Sequence, residues 1–126
     1  VGSVVEFEFA NSRLAALLGT TSDQIKELTL DAKRLGATTK YTASEVSKKI
    51  KNLPSNFTVT FVGTERDVKY CKEVYGLDES NTLIYNNTGE GLKKALETYT
   101  VNTRSYSKNV EAGKDVTKSF FDKQYV

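Results

Sequence analysis

Histidine, tryptophan and methionine are absent from the chain, and cysteine and proline occur once each. Without histidine there is no imidazole general base and no Ser-His or Cys-His pair, and one thiol supports neither a disulfide framework nor a zinc finger. An excess of either charge is missing as well: 18 Lys and Arg stand against 16 Asp and Glu, a formal charge of +2, with both signs interspersed. That balance supplies no basic stripe to neutralise a phosphate backbone, so nucleic acid is not an expected partner. The densest basic cluster, Lys48, Lys49 and Lys51, reads as a solvated helix face. No run reaches the roughly 18 apolar residues of a membrane span, and no charged stretch followed by an apolar one opens the chain. A cytoplasmic chain, not exported by a signal peptide, is the expectation. Cys71 falls among apolar helix positions and reads as a small buried hydrophobe, since no histidine exists to activate it.

What remains is 126 residues, 38% of them hydrophobic, enough for a modest core in one domain and too apolar for a disordered tail. Over residues 4–18 the set Phe7, Ala10, Leu14, Leu17 and Leu18 has spacings of three and four, which predicts an amphipathic helix. Val5, Phe7 and Phe9 also alternate with glutamates, so a strand competes at the start. Gly19 is suited to close the helix, and Thr21 with Gln24 makes a capping box for a second one. Ile25, Leu28, Ala32 and Leu35 line that second helix up to Gly36. Thr42 with Glu45 opens a third, with Ala43, Val46, Ile50 and Leu53 on its apolar side and Pro54 at its end.

After Pro54 the period changes. Phe57, Val59 and Phe61 alternate with Thr58, Thr60 and Val62, which predicts a strand. Gly63-Thr64 is then a strand-to-helix turn, and Val68, Cys71, Val74 and Tyr75 form a helix face that Gly76 closes. Leu83 to Tyr85 reads as a second strand, residues 86–89 as a turn, and Leu92, Ala95, Leu96 and Tyr99 as another helix face. The connection between the two strands is long enough for a right-handed parallel crossover. Residues 100–126 read as polar and irregular, with a terminal helix around Val116, Phe120 and Phe121. The expected fold class is α/β or α+β and mainly helical: N-terminal helices over residues 1–53, then a small parallel βαβα element over 54–126, together forming one domain.

Two places have the residue types for a site. The turns at Gly63-Thr64 and at Asn86 to Gly91 would lie side by side at the carboxyl edge of parallel strands. There, free helix N–H groups favour a phosphate or carboxylate. The ligand-binding set is Thr64, Thr88, Gly89 and Gly91, and ordinary helix capping accounts for the threonines equally well. The acidic neighbours Asp78-Glu79 and Glu65/Asp67 read as turn formers and dipole partners. Nothing distant supplies a third ligand, so neither a metal nor another cofactor is expected, and no catalytic residue is assigned. Phe57 and Phe61 fall on one strand face and Tyr75 and Tyr99 at helix core positions, so the aromatics read as core rather than as a stacking platform.

The stretch Phe9 to Val46 resembles the entry region of phage tail tape measure proteins. The features shared are the Leu18-Gly19 helix end, the rhythm from Leu28 to Gly36, and Thr38 to Val46 opening a third helix. The resemblance covers about a third of the chain, and the sequence departs from the family after Val46, where the family continues in Ala- and Leu-rich helices. It implies a non-enzymatic, virion-associated structural role, with self-association or other tail proteins as partners and helix packing through Leu14, Leu17, Leu18, Ile25, Leu28 and Leu35. Members of that family are far longer, so the resemblance implies an excised or rearranged piece. The alternative reading is a small cytosolic α/β binding domain that takes an anionic or nucleotide ligand at the two capped turns.

Overall fold

In the computed structural model, which describes residues 3–8, 14–20, 37–41 and 43–125, the chain folds around a five-stranded sheet. The strands are β1 (Ser3–Glu8), β2 (Leu14–Thr20), β3 (Ala37–Tyr41), β4 (Thr58–Gly63) and β5 (Thr82–Ile84), in the spatial order β3-β1-β2-β4-β5. The helices are α1 (Ala43–Lys51), α2 (Glu65–Tyr75) and α3 (Gly89–Glu111), and a short 3₁₀ turn, Glu79–Asn81, precedes β5. β1 runs antiparallel to both of its neighbours, whereas β2, β4 and β5 are parallel, from Leu14↔Thr58 to Leu18↔Val62 and from Phe61↔Thr82 to Gly63↔Ile84. The fold is α/β, with helical residues outnumbering strand residues among those described.

The expected helix over Leu14–Leu18 is instead the strand β2, and β1 precedes it as the competing strand reading had it. The reason is the position of β2 between β1 and β4, with both of its faces covered. Leu14 and Leu18 point into one core cluster and Leu17 into the other, all three 2–3% exposed. A strand buried on both sides carries a continuous apolar run, which spacing alone does not distinguish from a helix. β3 was likewise not foreseen, and it pairs with β1 through a bulge that skips Thr38 between Glu6↔Thr39 and Phe7↔Ala37. The expected second helix, with Ile25, Leu28 and Leu35, lies outside the described residues. The third is α1, which stops before Pro54 as expected.

From β4 to the first turns of α3 the local signals and the fold agree. β4 is buried along both faces, Gly76 closes α2 in the left-handed conformation (φ 67°), and β5 lies parallel to β4. Val74 is an exception: it is 51% exposed rather than part of the helix face. The stretch after Thr100, expected to be irregular, is largely helical. α3 runs on for 23 residues to Glu111, through a stretch rich in Thr, Asn and Ser that has poor helix propensity. Three of these side chains bond back to the preceding turn: Thr100 Oγ1 donates to the Leu96 carbonyl (3.0 Å), Asn102 Nδ2 to Thr98 (2.9 Å) and Thr103 Oγ1 to Tyr99 (2.8 Å). Tyr106, seven residues after Tyr99, continues the buried stripe.

Val116, Phe120 and Phe121 form no helix. They pack as irregular chain into the α3-side core, where Phe120 lies 5.0 Å from the Tyr99 ring centroid and 4.8 Å from that of Phe121. This segment is held to the 3₁₀ turn by one backbone bond, from Phe121 N to the Ser80 carbonyl (3.0 Å), and by several side chains. Asn81 accepts from Phe120 N (3.1 Å) and donates to the Thr117 carbonyl (2.7 Å), and Ser80 Oγ accepts from Ser119 N (2.7 Å). Ile84 N then donates to the Gln124 carbonyl (2.7 Å) at the free edge of β5.

Candidate functional site

The carboxyl ends of β2, β4 and β5 share one edge of the sheet. The register that pairs Leu18 with Val62 brings the next residue of each strand, Gly19 and Gly63, to the end of the β2–β4 seam. Here the connections part: the chain leaves β2 for β3 on one side, while β4 leads through α2 to β5 on the other. Open α/β sheets place ligands at such a divergence.

Both glycines are needed for a close approach. A Cβ on Gly63 would lie 2.4 Å from Phe61 Cε1, and one on Gly19 would lie 2.7 Å from Phe61 Cζ. The Phe61 ring therefore lies across both strand ends on the α2 side. Asp67, from the first turn of α2, reaches the same place, with its Oδ2 3.3 Å from where a Gly19 Cβ would be. On the α3 side, the Tyr85 hydroxyl donates to the Gly19 carbonyl (3.1 Å) across the end of β4.

The four residues expected to bind a ligand divide between two turns at this edge. Thr64 is the N-cap of α2 with an extended backbone, but its side chain accepts no helix N–H and instead donates to Asp67 Oδ2 (3.2 Å). Thr88 caps α3 in the ordinary way, its Oγ1 accepting from Gly91 N (3.0 Å). Gly91 is a packing requirement, because a Cβ there would lie 2.4 Å from the Asn86 carbonyl oxygen, whereas Gly89 has open space around it. Capping thus accounts for Thr88 and Gly91 but not for the hydroxyl of Thr64. Asp67, Gly19 and Tyr85 are members of the edge that the sequence reading did not assign to it. Gly19 resembled a helix terminator, and Tyr85 reaches β2 only through the sheet order.

The remaining candidates have structural explanations. Asp78 Oδ1 accepts from Ser80 N (3.0 Å) and from the Ser80 hydroxyl. These bonds, the hydroxyl's first, and the nearby Lys118 hold its carboxyl below the usual range. Glu79 points away to Lys72 (3.5 Å), so the pair does not act as two opposed carboxylates. Cys71 is 3% exposed, and burial, followed by the charge of Asp67, pushes its thiol up to about 12. Such a thiol stays protonated and unreactive at neutral pH. Among the described residues no three His, Cys, Asp or Glu side chains are grouped to hold a metal, and no helix is long and apolar enough to cross a membrane. Compared with known proteins, the chain matches no family model, no characterised sequence and no solved structure.

Proposed function

We propose that the chain is a small α/β binding module that takes a nucleotide-class ligand at the carboxyl edge, over Gly19, Gly63 and the turns at Thr64 and Thr88. The observation that carries this reading is the divergence of connections between β2 and β4, where the first turn of α2 has no side-chain cap. The first turns of α2 and α3 contain Glu65, Asp67 and Glu90, which disfavour a bare anion. A nucleotide offers both partners required, ribose hydroxyls that donate to Asp67 and a phosphate that accepts from the helix amides.

Thermal melting with mono- and dinucleotides tests the proposal. A ligand at 100 times its Kd stabilises the native state by about 2.7 kcal/mol, and Asp67→Asn and Thr64→Val are expected to weaken that response. Absence of any shift at millimolar nucleotide sinks the reading. A second proposal, a self-associating component of a phage tail, draws on the resemblance over residues 9–46. Leu14, Leu17 and Leu18 are buried within the chain, so this proposal needs another surface, and sedimentation that depends on concentration would support it.

A further inference from the structure

The last three turns of α3 and the returning segment after Gly113 do not close on each other. Between them is a hollow of about 170 Å³ at the amino end of β4, opposite the carboxyl edge. Tyr106, bonded to Thr58 at 3.0 Å, and Phe120 contribute to its lining. One stripe of α3, Asn102, Ser105 and Asn109, supplies amides and a hydroxyl to it. The Asn102 Nδ2 is committed to Thr98 (2.9 Å), which leaves its Oδ1 as an acceptor. Ser105 and the half-buried Asn109 amide have no side-chain hydrogen bond among the described residues.

The opposite wall carries both signs of charge in equal number, Lys114 and Lys118 against Asp115 and Asp122. Thr117 occupies Asp115 Oδ1 through its N (3.0 Å) and its hydroxyl (2.8 Å), so Oδ2 remains. Lys118 leans toward Asp78 at 3.9 Å, whereas Lys114 has no ion pair among the described residues. With Lys118 drawn to Asp78, the wall offers the Lys114 ammonium together with the carboxylates of Asp115 and Asp122. It complements a molecule that carries both charges a few ångströms apart. At about 30 Å³ per water the space equals on the order of five or six waters, room enough for a single amino acid.

We propose that this hollow binds a free α-amino acid, its carboxylate held by Lys114 and the Asn109 amide and its ammonium by Asp115 and Asp122. Calorimetric titration of the full chain with glycine, serine and glutamine, beside acetate, methylammonium and glucose, tests this. At least one amino acid is expected to bind saturably at one per chain, with acetate and methylammonium each at least roughly tenfold weaker. Lys114 and Asp122 are exposed, so Lys114→Gln and Asp122→Asn should melt like the parent while losing roughly tenfold in affinity. Asn109→Leu, which keeps the shape of the side chain but removes its amide, should also lose roughly tenfold in affinity. No saturable binding of any amino acid, equal binding of acetate, preferential binding of glucose, or unchanged affinity in both charge variants would overturn the proposal.

Discussion

The two faces of the central strand β4 are built on different principles. On the α2 side, Leu17, Phe61, Val68 and Cys71 form a wholly apolar cluster, and its specificity is one of shape. The Phe61 ring occupies the space that Gly19 and Gly63 leave at the strand ends. On the α3 side, fully buried threonines project into an otherwise greasy core. Thr60 Oγ1 lies 2.8 Å from the Tyr99 hydroxyl and donates to the Ala15 carbonyl (3.1 Å), while Thr58 Oγ1 lies 3.0 Å from the Tyr106 hydroxyl and donates to the Val116 carbonyl (2.7 Å). Residues two apart on the strand thus meet residues seven apart on the helix, which sets the position of α3 along β4. Packing is tolerant of a small slide and hydrogen bonds are not.

Substitutions on each face separate these principles. The largest effect is expected from Leu17→Asp on the shape-driven face, where an unpaired carboxylate would sit against Phe61 and Val68. A loss above about 4 kcal/mol is expected, read as disappearance of the cooperative melt. A folded, monomeric Leu17→Asp variant from an oligomeric parent would instead place Leu17 at an interface between chains. Next, Gly63→Ala drives a methyl into the Phe61 ring and should cost about 2–3 kcal/mol in denaturant unfolding. Adding Phe61→Leu should relieve the clash, so that the double variant loses less than the sum of the two single ones. The smallest effect lies on the hydroxyl face. Thr60→Val keeps the volume but removes a partner from Tyr99, at about 1–2 kcal/mol, and Tyr99→Phe in that background should add little. Additive losses for Thr60→Val and Tyr99→Phe would show that the two hydroxyls do not act as a pair.

Much of the second half of the chain could be read from residues close together in sequence. The alternation through Val62 marks β4, Gly76 ends α2, and Thr88 caps α3. Each of these signals concerns a conformation decided within a few residues. The first third was misread where burial on both faces gave a strand the spacing of a helix, as at Leu14, Leu17 and Leu18. The far half of α3 was missed because Thr100, Asn102 and Thr103 favour helix only once their side chains have bonded back to it. At the carboxyl edge, Thr64, Thr88, Gly89 and Gly91 could be named from the turns. Asp67, Gly19 and Tyr85 join them only through strand order.

By itself, the order of residues determined the Thr88 cap, the helix end at Gly76, a connection long enough for the parallel crossover and the absence of histidine chemistry, because each depends on short-range sterics, on chain length or on composition. Only the tertiary structure decided that β2 is a strand, that Phe120 and Phe121 enter the core without a helix, and which turns stand next to one another. Those outcomes depend on which surfaces meet, and that follows from burying both faces of one sheet at once rather than from any local preference.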